Sequence, residues 1–469
     1  MSIKKSLQKK LTVQKKNIRS INPYTEHVIK EFRLMTHHEI VNAVRRSQEA
    51  FRSWREVSVP ERSSFIRKLA NQLRSEKQLY AETMTLEMGK TIRESRAEVE
   101  KCAWLCEYYA EHAPAMLKPE MVKTEALKSY ITFEPLGIVL AIMPWNFPFW
   151  QAFRFGVPAI AAGNVVLLKH ASNVPMSALA IEDAFIKAGF PGYILKTLLI
   201  DTQDTLRLID EDQVDAVSLT GSNKAGEEVG AHAGGKIKKV VLELGGSDPY
   251  IVLDDANIEI AGKMAANARM VNTGQSCIAA KRFIVHEAVA DKFIEMFTTR
   301  LKELKIGDPL DEPTDVGPVA KPEIMKDLNS QLADAKRKGA KIVQIPFSSK
   351  HGFFFSPCAV LNPTKRMKVL TEEVFGPIAP IIRVKNDEEA IAVANDSEFG
   401  LGASIWSQNH ERAEKIASRL EAGIVAINDM VKSDPRLPFG GVKKSGFGRE
   451  LSQYGLKEFV SIKSIIVKE

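Results

Sequence analysis

The spacing of apolar residues divides the chain into a helical part and a part in which strands and helices alternate. Through residues 40–112, apolar side chains recur every three or four positions, which predicts a run of amphipathic helices. From residue 137 onward, short apolar segments alternate with helical stretches at 177–189 and 202–213. The apolar segments are GIVLAIM (137–143), NVVLLK (164–169), TLLI (197–200), DAVSLT (215–220) and KVVLEL (239–244). Continuous Val, Ile and Leu strands separated by helices predict a doubly wound, parallel α/β sheet.

A second alternating series begins near residue 246 and predicts another α/β domain, with strands in PYIVLDD (249–255) and RFIVHE (282–287). Two further segments, SYITFEPL (129–136) and FVSIKSIIVKE (459–469), fit neither sheet and resemble edge strands. Because edge strands need a partner to cover their free hydrogen-bonding groups, we expect them to pair across a subunit interface.

The net charge of the chain is concentrated at its beginning. Of 469 residues, 65 are Lys or Arg and 58 are Asp or Glu, which gives a net charge of +7. Residues 1–20 hold six lysines, one arginine and no acid, so the remainder is balanced at 58 of each sign. We interpret residues 1–20 as a solvated, disordered basic arm. Binding to an anionic surface ranks second, and an organelle presequence, usually Arg-rich, ranks third.

Hydropathy and cysteine content predict a soluble protein of a reducing compartment. Apolar residues make up 45% of the chain, yet the longest apolar stretches, such as 138–143, are too short to span a bilayer. Residues 1–20 lack the apolar segment of a secretory signal. Cys102 and Cys106 share a helical face, and no Cys or His pair has the spacing of a zinc site. We expect a cytoplasmic protein without membrane attachment or a metal centre.

Cys277 stands in a different setting, the polar and turn-prone run NTGQSC (272–277). A reactive thiol needs partial exposure and surroundings that favour the thiolate, and this run is typical of such a setting; a structural loop cysteine is the alternative. A thiolate that attacks a carbonyl also needs an oxyanion donor and a base. The candidates are Asn146, in the MPWNFP turn, and Glu243, whose pKa should be raised in its apolar strand. A salt bridge is the alternative for Glu243.

A turn suited to phosphate follows the strand DAVSLT, where Gly221 and Gly226 enclose four residues and a helical stretch begins. Free backbone N–H groups and the helix dipole at such a turn favour an anionic ligand. The spacing differs from the dinucleotide fingerprint G-x-G-x-x-G and from the P-loop, so an ordinary strand–helix turn is an equally good interpretation.

Together these segments resemble the NAD(P)-dependent aldehyde dehydrogenase family, in family order from INPYTEHVI (21–29) to the final strand. The matching motifs are MPWNFPFW, VVLLK, the G-x4-G turn, LELGGSDP, NTGQSC, GDPLDEPTDVGP, EEVFGP and PFGGVKKSGFGRE. The resemblance implies an aldehyde dehydrogenase-like fold and a homodimer or homotetramer. The implied parts are an NAD(P)-binding domain (21–117 and 137–245), a catalytic domain (246–450) and a small β element for oligomerisation (118–136 and 451–469).

Residue by residue, the resemblance implies that Cys277 is the nucleophile, which forms a thiohemiacetal and then a thioester. Asn146 and the Cys277 backbone N–H match the oxyanion hole. Glu243 matches the base that activates the hydrolytic water. The positions that match contacts to NAD or NADP are Trp145, Lys169, Gly221, Ser222, Gly226, Glu373 and Phe375.

Two positions depart from the family pattern near the expected cofactor site. Family members strict for NAD usually carry Glu where this chain has Ser172, and its absence removes repulsion against a 2′-phosphate. We therefore expect NAD or NADP, without a ranking between them. His170 stands where the family commonly has Pro, and the sequence indicates no consequence.

Details such as LKHASN and SDPRLPFGGVKKSGFGREL are similar to the succinate-semialdehyde dehydrogenases, whose substrate carboxylate needs a cation and hydroxyl donors. Arg154 and Ser433 match carboxylate-binding residues of that group, whereas a second arginine is replaced here by Val271. We hypothesise that Arg436 compensates, with Arg269 as a fallback; a surface charge is the alternative for Arg436. The expected reaction is the oxidation of succinate semialdehyde to succinate.

Three other functions stay open at this point. The substrate could be another aldehyde, such as glutarate semialdehyde or a neutral aliphatic aldehyde. The protein could be a silent binding member of the family, although Cys277, Glu243 and Asn146 are all present. Nucleic-acid binding through residues 1–20 is disfavoured, and it predicts a salt-dependent complex that is lost with the arm.

Overall fold

The computed structural model describes residues 17–469, so most of the predicted basic arm, residues 1–16, lies outside the described residues. The predicted run of helices over 40–112 is confirmed. The helices of the described chain are α1 His37–Trp54, α2 Val59–Ser75, α3 Lys77–Met88, α4 Ile92–Met116, α5 Pro148–Ala161, α6 Pro175–Lys187, α7 Thr202–Asp210, α8 Asn223–Gly235, α9 Ile258–Met270, α10 Glu287–Glu303, α11 Pro322–Arg337, α12 Lys368–Thr371, α13 Asp387–Asn395, α14 His410–Ala417 and α15 Ser452–Glu458.

The strands belong to three larger sheets and two small ones. They are β1 Asn17–Ile21, β2 Val28–Arg33, β3 Glu120–Met121, β4 Lys128–Pro135, β5 Ile138–Met143, β6 Val165–His170, β7 Leu195–Thr197, β8 Ala216–Thr220, β9 Lys239–Glu243, β10 Pro249–Val252, β11 Arg282–His286, β12 Lys341–Gln344, β13 Cys358–Leu361, β14 Ile378–Val384, β15 Phe399–Gly400, β16 Gly402–Trp406, β17 Ile424–Ile427, β18 Val442–Lys443, β19 Gly446–Phe447 and β20 Val460–Val467.

The first hairpin corrects the expected extent of the basic arm. β1 pairs antiparallel with β2, from Asn17 opposite Arg33 to Ile21 opposite Val28. The side chain of Ser20 is fully buried in this arrangement. Residues 17–20 are therefore part of a paired strand and not of a disordered extension, because backbone pairing with β2 outweighs their polar composition.

The first of the larger sheets has the strand order β19-β9-β8-β5-β6-β7 and is parallel except for β19. The predicted doubly wound sheet is thus confirmed, although β7 ends at Thr197, where the TLLI segment begins. Leu198 and Ile200 are buried beyond the strand, so their apolar character reflects core packing and not strand pairing. β5 lies between β6 and β8, and the crevice at the carboxyl ends of such neighbouring strands is where α/β sheets bind ligands.

Helix α5 packs between this sheet and α4, and every one of its residues is buried. Its apolar sequence PFWQAFRFGVPAIA explains this position, since a helix that is hydrophobic all round belongs inside a protein. The N-terminus of α4 is capped by the Thr91 side chain, which accepts a hydrogen bond from the Glu94 N–H. Glu98, in the first half of α4, accepts from the N–H groups of Phe149 and Trp150 and so ties α4 to the start of α5.

The second of the larger sheets has the order β12-β13-β14-β11-β10-β16-β17 and is parallel except for the pair β12–β13. It confirms the second α/β unit predicted from residue 246 onward. Helix α9 leads away from β10 and ends at Met270, one residue before the NTGQSC run.

The two segments that fit neither sheet pair with each other within the chain. β20 runs antiparallel to β4 from Val460 opposite Pro135 to Val467 opposite Lys128, and β3 pairs with the other edge of β4. Each of the two segments thus has a partner strand within the chain, and the expected pairing across a subunit interface stays a prediction. β20 is the outer strand of this three-stranded sheet, and its second edge has no strand beside it within residues 17–469.

Among the helices of residues 17–469, none has the length and apolar character needed to cross a membrane. Over the same part of the chain, no cluster of three or more His, Cys, Asp or Glu side chains is arranged to hold a metal ion.

Candidate active site

The turn after β5 brings Asn146 against the loop that carries Cys277. The Asn146 side chain is buried, and its Nδ2 donates to the Gln275 carbonyl oxygen at 3.1 Å. In return, Asn272 Nδ2 donates to the Asn146 carbonyl oxygen at 2.7 Å. These two bonds fix the Asn146 amide beside the residues that immediately precede the thiol.

A strained turn at the end of α9 precedes Cys277. Asn272, Thr273 and Gly274 have φ angles of 51°, 57° and 76°. A positive φ is unusual for a β-branched residue such as Thr273, and strain of this kind persists only where surrounding contacts over-determine it. One such contact is the Glu94 Oε1 carboxylate oxygen, which accepts from the Asn272 N–H at 2.7 Å. The position of the thiol is therefore imposed by the fold.

Cys277 is half-buried and lines two pockets at once. The smaller, of about 200 Å³, lies at the carboxyl ends of β5, β8 and β9. The larger, of about 330 Å³, lies between α4, α5 and residues 430–433. The thiol and the side chain of Gln151 are common to both walls, so a molecule in either pocket can reach the sulfur.

The surroundings keep the Cys277 thiol protonated. Burial raises its pKa to about 11, although the charges of Arg154 and Lys281 act to lower it. The Lys281 ammonium donates to the carbonyl oxygens of Ser276 at 2.9 Å and of Cys277 at 2.6 Å, and it lies 3.3 Å from the Glu373 carboxylate, so its donors are directed away from the sulfur. The expectation that this run favours the thiolate is therefore wrong for the free protein.

Glu243, at the end of β9, is buried beside Glu450 and Arg154. Burial raises the pKa of Glu243 well above its usual value, as the apolar strand predicts, and the charge of Glu450 raises it further. Within residues 17–469 neither carboxylate oxygen of Glu243 has a hydrogen-bond partner, so the alternative of a salt bridge is not found. Glu243 does not contribute to the wall of either pocket. It is an unpaired carboxyl group set back from the thiol.

The smaller pocket has the backbone features of a nucleotide site. Gly221 follows β8 directly, and α8 begins after Ser222, whose Oγ caps the helix by accepting from the Ala225 N–H at 3.4 Å. A Cβ at Gly226 would lie 2.6 Å from the Leu244 side chain, so this glycine lets α8 pack closely against the chain after β9. The open start of α8 fits the phosphates of a dinucleotide.

Other predicted cofactor residues complete the wall of this pocket. Trp145 and Phe375 meet edge to face with ring centroids 5.7 Å apart. Glu373 accepts from the Gly246 N–H at 3.1 Å and lies 3.3 Å from the Lys281 ammonium. An aromatic pair beside a fixed carboxylate fits a nicotinamide ring and its ribose hydroxyls.

Three of the predicted cofactor residues lie outside this wall. Lys169, at the end of β6, is half-buried, and burial lowers its pKa. Ser172 is exposed in the loop that follows, where it would meet the adenosine end of an extended dinucleotide. Gly226 acts through the packing of α8. The residues present therefore fit NAD or NADP along the edge formed by β6, β5 and β8.

His170 replaces the family's usual proline and connects β6 to α5. Its Nε2 lies 2.8 Å from the Pro148 carbonyl oxygen, and its Nδ1 accepts from the Ala171 N–H at 3.0 Å, so Nε2 carries the proton. Burial lowers the pKa of His170 to about 4. A neutral histidine thus holds the first turn of α5 close to the Asn146 turn.

The residues expected to bind a substrate carboxylate are only partly brought together. Arg154 and Ser433 both line the larger pocket, but the Arg154 guanidinium forms a buried ion pair with Glu450. Arg436 is exposed, donates to the Asp434 carboxylate at 2.7 Å and does not line the pocket. The hypothesis that Arg436 compensates for Val271 is therefore not supported, because its guanidinium is paired at the surface.

Arg269, the second candidate for binding the substrate carboxylate, instead holds the backbone around the Cys277 loop. It is fully buried, and its guanidinium donates to backbone carbonyl oxygens on both sides of the Cys277 loop. The acceptors lie at 2.9 Å for Ala280, 2.8 Å for Gly274, 3.2 Å for Val374 and 2.5 Å for Gly376. Arg269 thus holds the loop and cannot also bind a substrate.

Sequence reasoning missed Lys101, which lines the larger pocket from α4. Its ammonium donates to Ser433 Oγ at 2.7 Å and lies 4.2 Å from the centroid of the Trp150 ring. The helical spacing of Glu94, Glu98 and Lys101 was the available signal. It did not suffice, because a polar stripe facing a pocket has the same pattern as one facing solvent.

Comparison with known proteins agrees with this geometry. The model of the aldehyde dehydrogenase family matches residues 11–465. The chain belongs to the aldehyde dehydrogenase family. It is similar to a probable succinate-semialdehyde dehydrogenase [NADP(+)] of Synechocystis sp., with 47% identity over 96% of this chain and 99% of that protein. It is 44% identical, with the same coverage of each chain, to succinate-semialdehyde dehydrogenase [NADP(+)] 1 of Mycobacterium tuberculosis.

Solved structures confirm the aldehyde dehydrogenase fold. The succinic semialdehyde dehydrogenase of Streptococcus pyogenes, solved in complex with NADP+, aligns with a TM-score of 0.94 at 37% identity, over 96% of this chain and all of that one. Betaine aldehyde dehydrogenase of Staphylococcus aureus, solved with NAD+, aligns with a TM-score of 0.92 at 31% identity. The alignment covers 96% of this chain and 91% of that one. The chain is thus an NAD(P)-dependent aldehyde dehydrogenase, and cysteine-based catalysis follows from the family.

Proposed function

We propose that this aldehyde dehydrogenase oxidises succinate semialdehyde to succinate with NADP+ or NAD+. The observation that carries the proposal is the position of Cys277, which is shared by a nucleotide-type pocket and by a second pocket lined by Lys101, Arg154 and Ser433. The Lys101 ammonium and the Ser433 hydroxyl of the second pocket suit an aldehyde with a carboxylate at its far end. The names of the Synechocystis and Mycobacterium relatives support the same substrate.

In the proposed reaction, the Cys277 sulfur attacks the aldehyde carbon and forms a C–S bond, while the carbonyl oxygen becomes an oxyanion. The buried Asn146 amide stands next to the thiol's loop and, with the Cys277 backbone N–H, would donate to that oxyanion. A thiol whose pKa is about 11 must lose its proton as it attacks, and in the proposed reaction the unpaired Glu243 carboxylate takes that proton and passes it to solvent before the hydrolytic step. Trp145, Glu373 and Phe375 would hold the nicotinamide of NAD(P)+ in the smaller pocket, where it would supply the hydride acceptor needed to oxidise the thiohemiacetal to a thioester.

Glu243 is the base that we propose for the hydrolytic step. It would take a proton from a water molecule that attacks the thioester carbon, and the C–S bond then breaks to release the acid and restore Cys277. The raised pKa of Glu243 and its free oxygens suit this exchange. Since it is set back from both pockets, its side chain has to turn toward Cys277 when it acts.

The residues proposed to hold the cofactor are those that the resemblance indicated. Trp145, Glu373 and Phe375 would hold the nicotinamide end, the start of α8 the phosphates, and Lys169 with Ser172 the adenosine end. The exposed Ser172 places no carboxylate where a 2′-phosphate would lie, so NADP+ is admitted.

We also propose a cytoplasmic homodimer or homotetramer, with the expected division into an NAD(P)-binding domain (21–117 and 137–245), a catalytic domain (246–450) and an oligomerisation element (118–136 and 451–469). The third sheet supports the last of these, since β20 and β4 pair apart from both large sheets.

The first test is the formation of reduced nicotinamide by purified protein given succinate semialdehyde, with NAD+ and NADP+ in separate assays. We expect turnover that the Cys277→Ala variant loses by at least about 1,000-fold. Cys358→Ala is the matched control, because this buried thiol of β13 lies in neither pocket. Better turnover of a neutral aldehyde than of succinate semialdehyde would keep the mechanism and reject the substrate.

A further inference from the structure

The charges in the wall of the larger pocket are almost all neutralised by partners. Arg154 is paired with Glu450, and the exposed Lys432 is paired with Asp429 at 2.9 Å. The acids are engaged as well. Glu98 accepts from the N–H groups of Phe149 and Trp150 at 2.9 Å and pairs with Lys90, while Glu94 accepts from Asn272 and Thr91.

Lys101 is the exception among the cations of this wall. No carboxylate of residues 17–469 lies within 4.0 Å of its ammonium, which contacts only the Ser433 hydroxyl and the Trp150 ring. Burial and, to a smaller extent, the charge of Arg154 lower the pKa of Lys101 to about 8. A half-buried ammonium without an anion is costly, and an anionic ligand would remove that cost.

We propose that Lys101, together with Ser433, binds the distal carboxylate of the substrate and so sets the preference for acidic aldehydes. This inference rests on the proposed function. The Ser433 hydroxyl accepts from Lys101 and keeps its own hydrogen to donate, so two adjacent donors can face one carboxylate. Lys101 thus supplies the positive charge that Val271 lacks, from helix α4 instead of from the loop before the nucleophile.

Four charged or titratable groups face Lys101 from the elements packed around it. Arg154 comes from α5, Glu98 and Cys102 from α4 itself, and Asp434 from the loop after Ser433. Glu98 and Asp434 are already bonded to other donors, Asp434 to Arg436. Neither carboxylate contacts the Lys101 ammonium directly, so a substrate carboxylate can take that position.

The test compares succinate semialdehyde with butanal, a neutral aldehyde of the same carbon number, in wild type, Lys101→Met and Lys101→Arg. In Lys101→Met we expect kcat/KM for succinate semialdehyde to fall about 30-fold, chiefly through KM, and kcat/KM for butanal to stay within about twofold. Lys101→Arg should recover most of the loss. Lys263→Met is the matched control, since it removes an exposed lysine of α9 that lies outside the pocket.

The pH profile gives a readout that a structural role would not change. The ratio of kcat/KM for succinate semialdehyde to that for butanal should fall in wild type as pH rises through about 8 and Lys101 loses its proton, and it should stay flat in Lys101→Arg. Equal losses of kcat/KM for both aldehydes in Lys101→Met would overturn the role of Lys101. A wild-type ratio that does not change with pH would overturn it as well. Absence of a preference for succinate semialdehyde in wild type would instead reject the proposed function. Thermal unfolding of each variant separates misfolding from these outcomes.

Discussion

At the scale of single residues, the protonation state of Cys277 determines how the free enzyme reacts with electrophiles. Its pKa of about 11 arises from burial, which the charges of Arg154 and Lys281 only partly offset. We expect the rate of alkylation by iodoacetamide to rise about tenfold per pH unit between pH 7.5 and 9.5, because the thiolate fraction grows in that proportion. Mass spectrometry of the modified peptide identifies Cys277, and Cys277→Ala gives the background. A plateau below pH 9 would contradict the raised pKa.

Ser172 offers a second test at this scale, because the exposed side chain follows Lys169 by three residues on the loop after β6. In Ser172→Glu we expect kcat/KM for NADP+ to fall about 100-fold, since a carboxylate would repel the 2′-phosphate, while NAD+ is retained or improved. Ser172→Gln has nearly the same volume without the charge and should lose much less. Initial rates with each dinucleotide measure both effects. Equal losses for Glu and Gln would mean that volume and not charge matters.

Some site residues could be assigned from the sequence and others could not. Cys277 and Asn146 lie in distinctive turns, so their motifs alone predicted that they come together. The direction of the Glu243 pKa followed from its apolar strand. Lys101 and Arg436 could not be separated in this way, because their roles depend on which carboxylate contacts them. Asp434 bonds to Arg436, whereas no carboxylate of residues 17–469 lies within 4.0 Å of the Lys101 ammonium.

At the scale of elements, the turn between α9 and Cys277 is the strained part of the site. An added Cβ at Gly274, whose φ is +76°, would lie 2.5 Å from the backbone carbon of Gly376. Gly189 has a similar φ of +86°, yet its added Cβ meets nothing within 4 Å. Alanine at Gly189 therefore measures the loss of stability from a positive φ alone, whereas alanine at Gly274 adds the loss from a steric clash.

We expect Gly189→Ala to lower the free energy of unfolding by about 1 kcal/mol and Gly274→Ala by about 3 kcal/mol, since the second adds overpacking to the strain. Gly274→Ala should also reduce kcat, because the Cys277 loop has to move away from Gly376. Urea denaturation and steady-state kinetics measure the two effects. Similar losses of stability in both variants would show that the contact with Gly376 is easily relieved.

Most strands and helices were predictable from the sequence, because buried parallel strands have continuous apolar sequences and surface segments do not. The exceptions have clear causes. The TLLI segment is apolar because Leu198 and Ile200 are buried beyond the end of β7. Residues 17–20 continue the basic N-terminal segment, so the sequence predicts a tail. They nevertheless pair with β2, and nothing in the sequence of either segment indicates that pairing.

At the scale of the whole molecule, the three-stranded sheet of β20, β4 and β3 exposes apolar side chains and an unpaired strand edge, which a monomer would leave in contact with water. β20 leaves one edge unpaired, and Ile462 and Ile466, on the same face of that strand, are 63% and 64% exposed. Met121 and Leu127, on and after β3, are 65% and 71% exposed. An unpaired edge beside exposed apolar side chains favours a subunit interface, which supports the proposed homo-oligomer.

The corresponding prediction is that replacing both isoleucines of β20, as Ile462→Asp with Ile466→Asp, dissociates the oligomer. Two carboxylates buried against a partner subunit would lose their hydration, a cost that exceeds what a marginal interface supplies. Ile237→Asp is the control, because Ile237 is 96% exposed on the turn after α8, away from this sheet. Sedimentation velocity should show wild type and the control as a dimer or tetramer and the double variant as a smaller species. A monomeric wild type would reject the oligomer outright, and an unchanged mass in the double variant would place the interface on another surface.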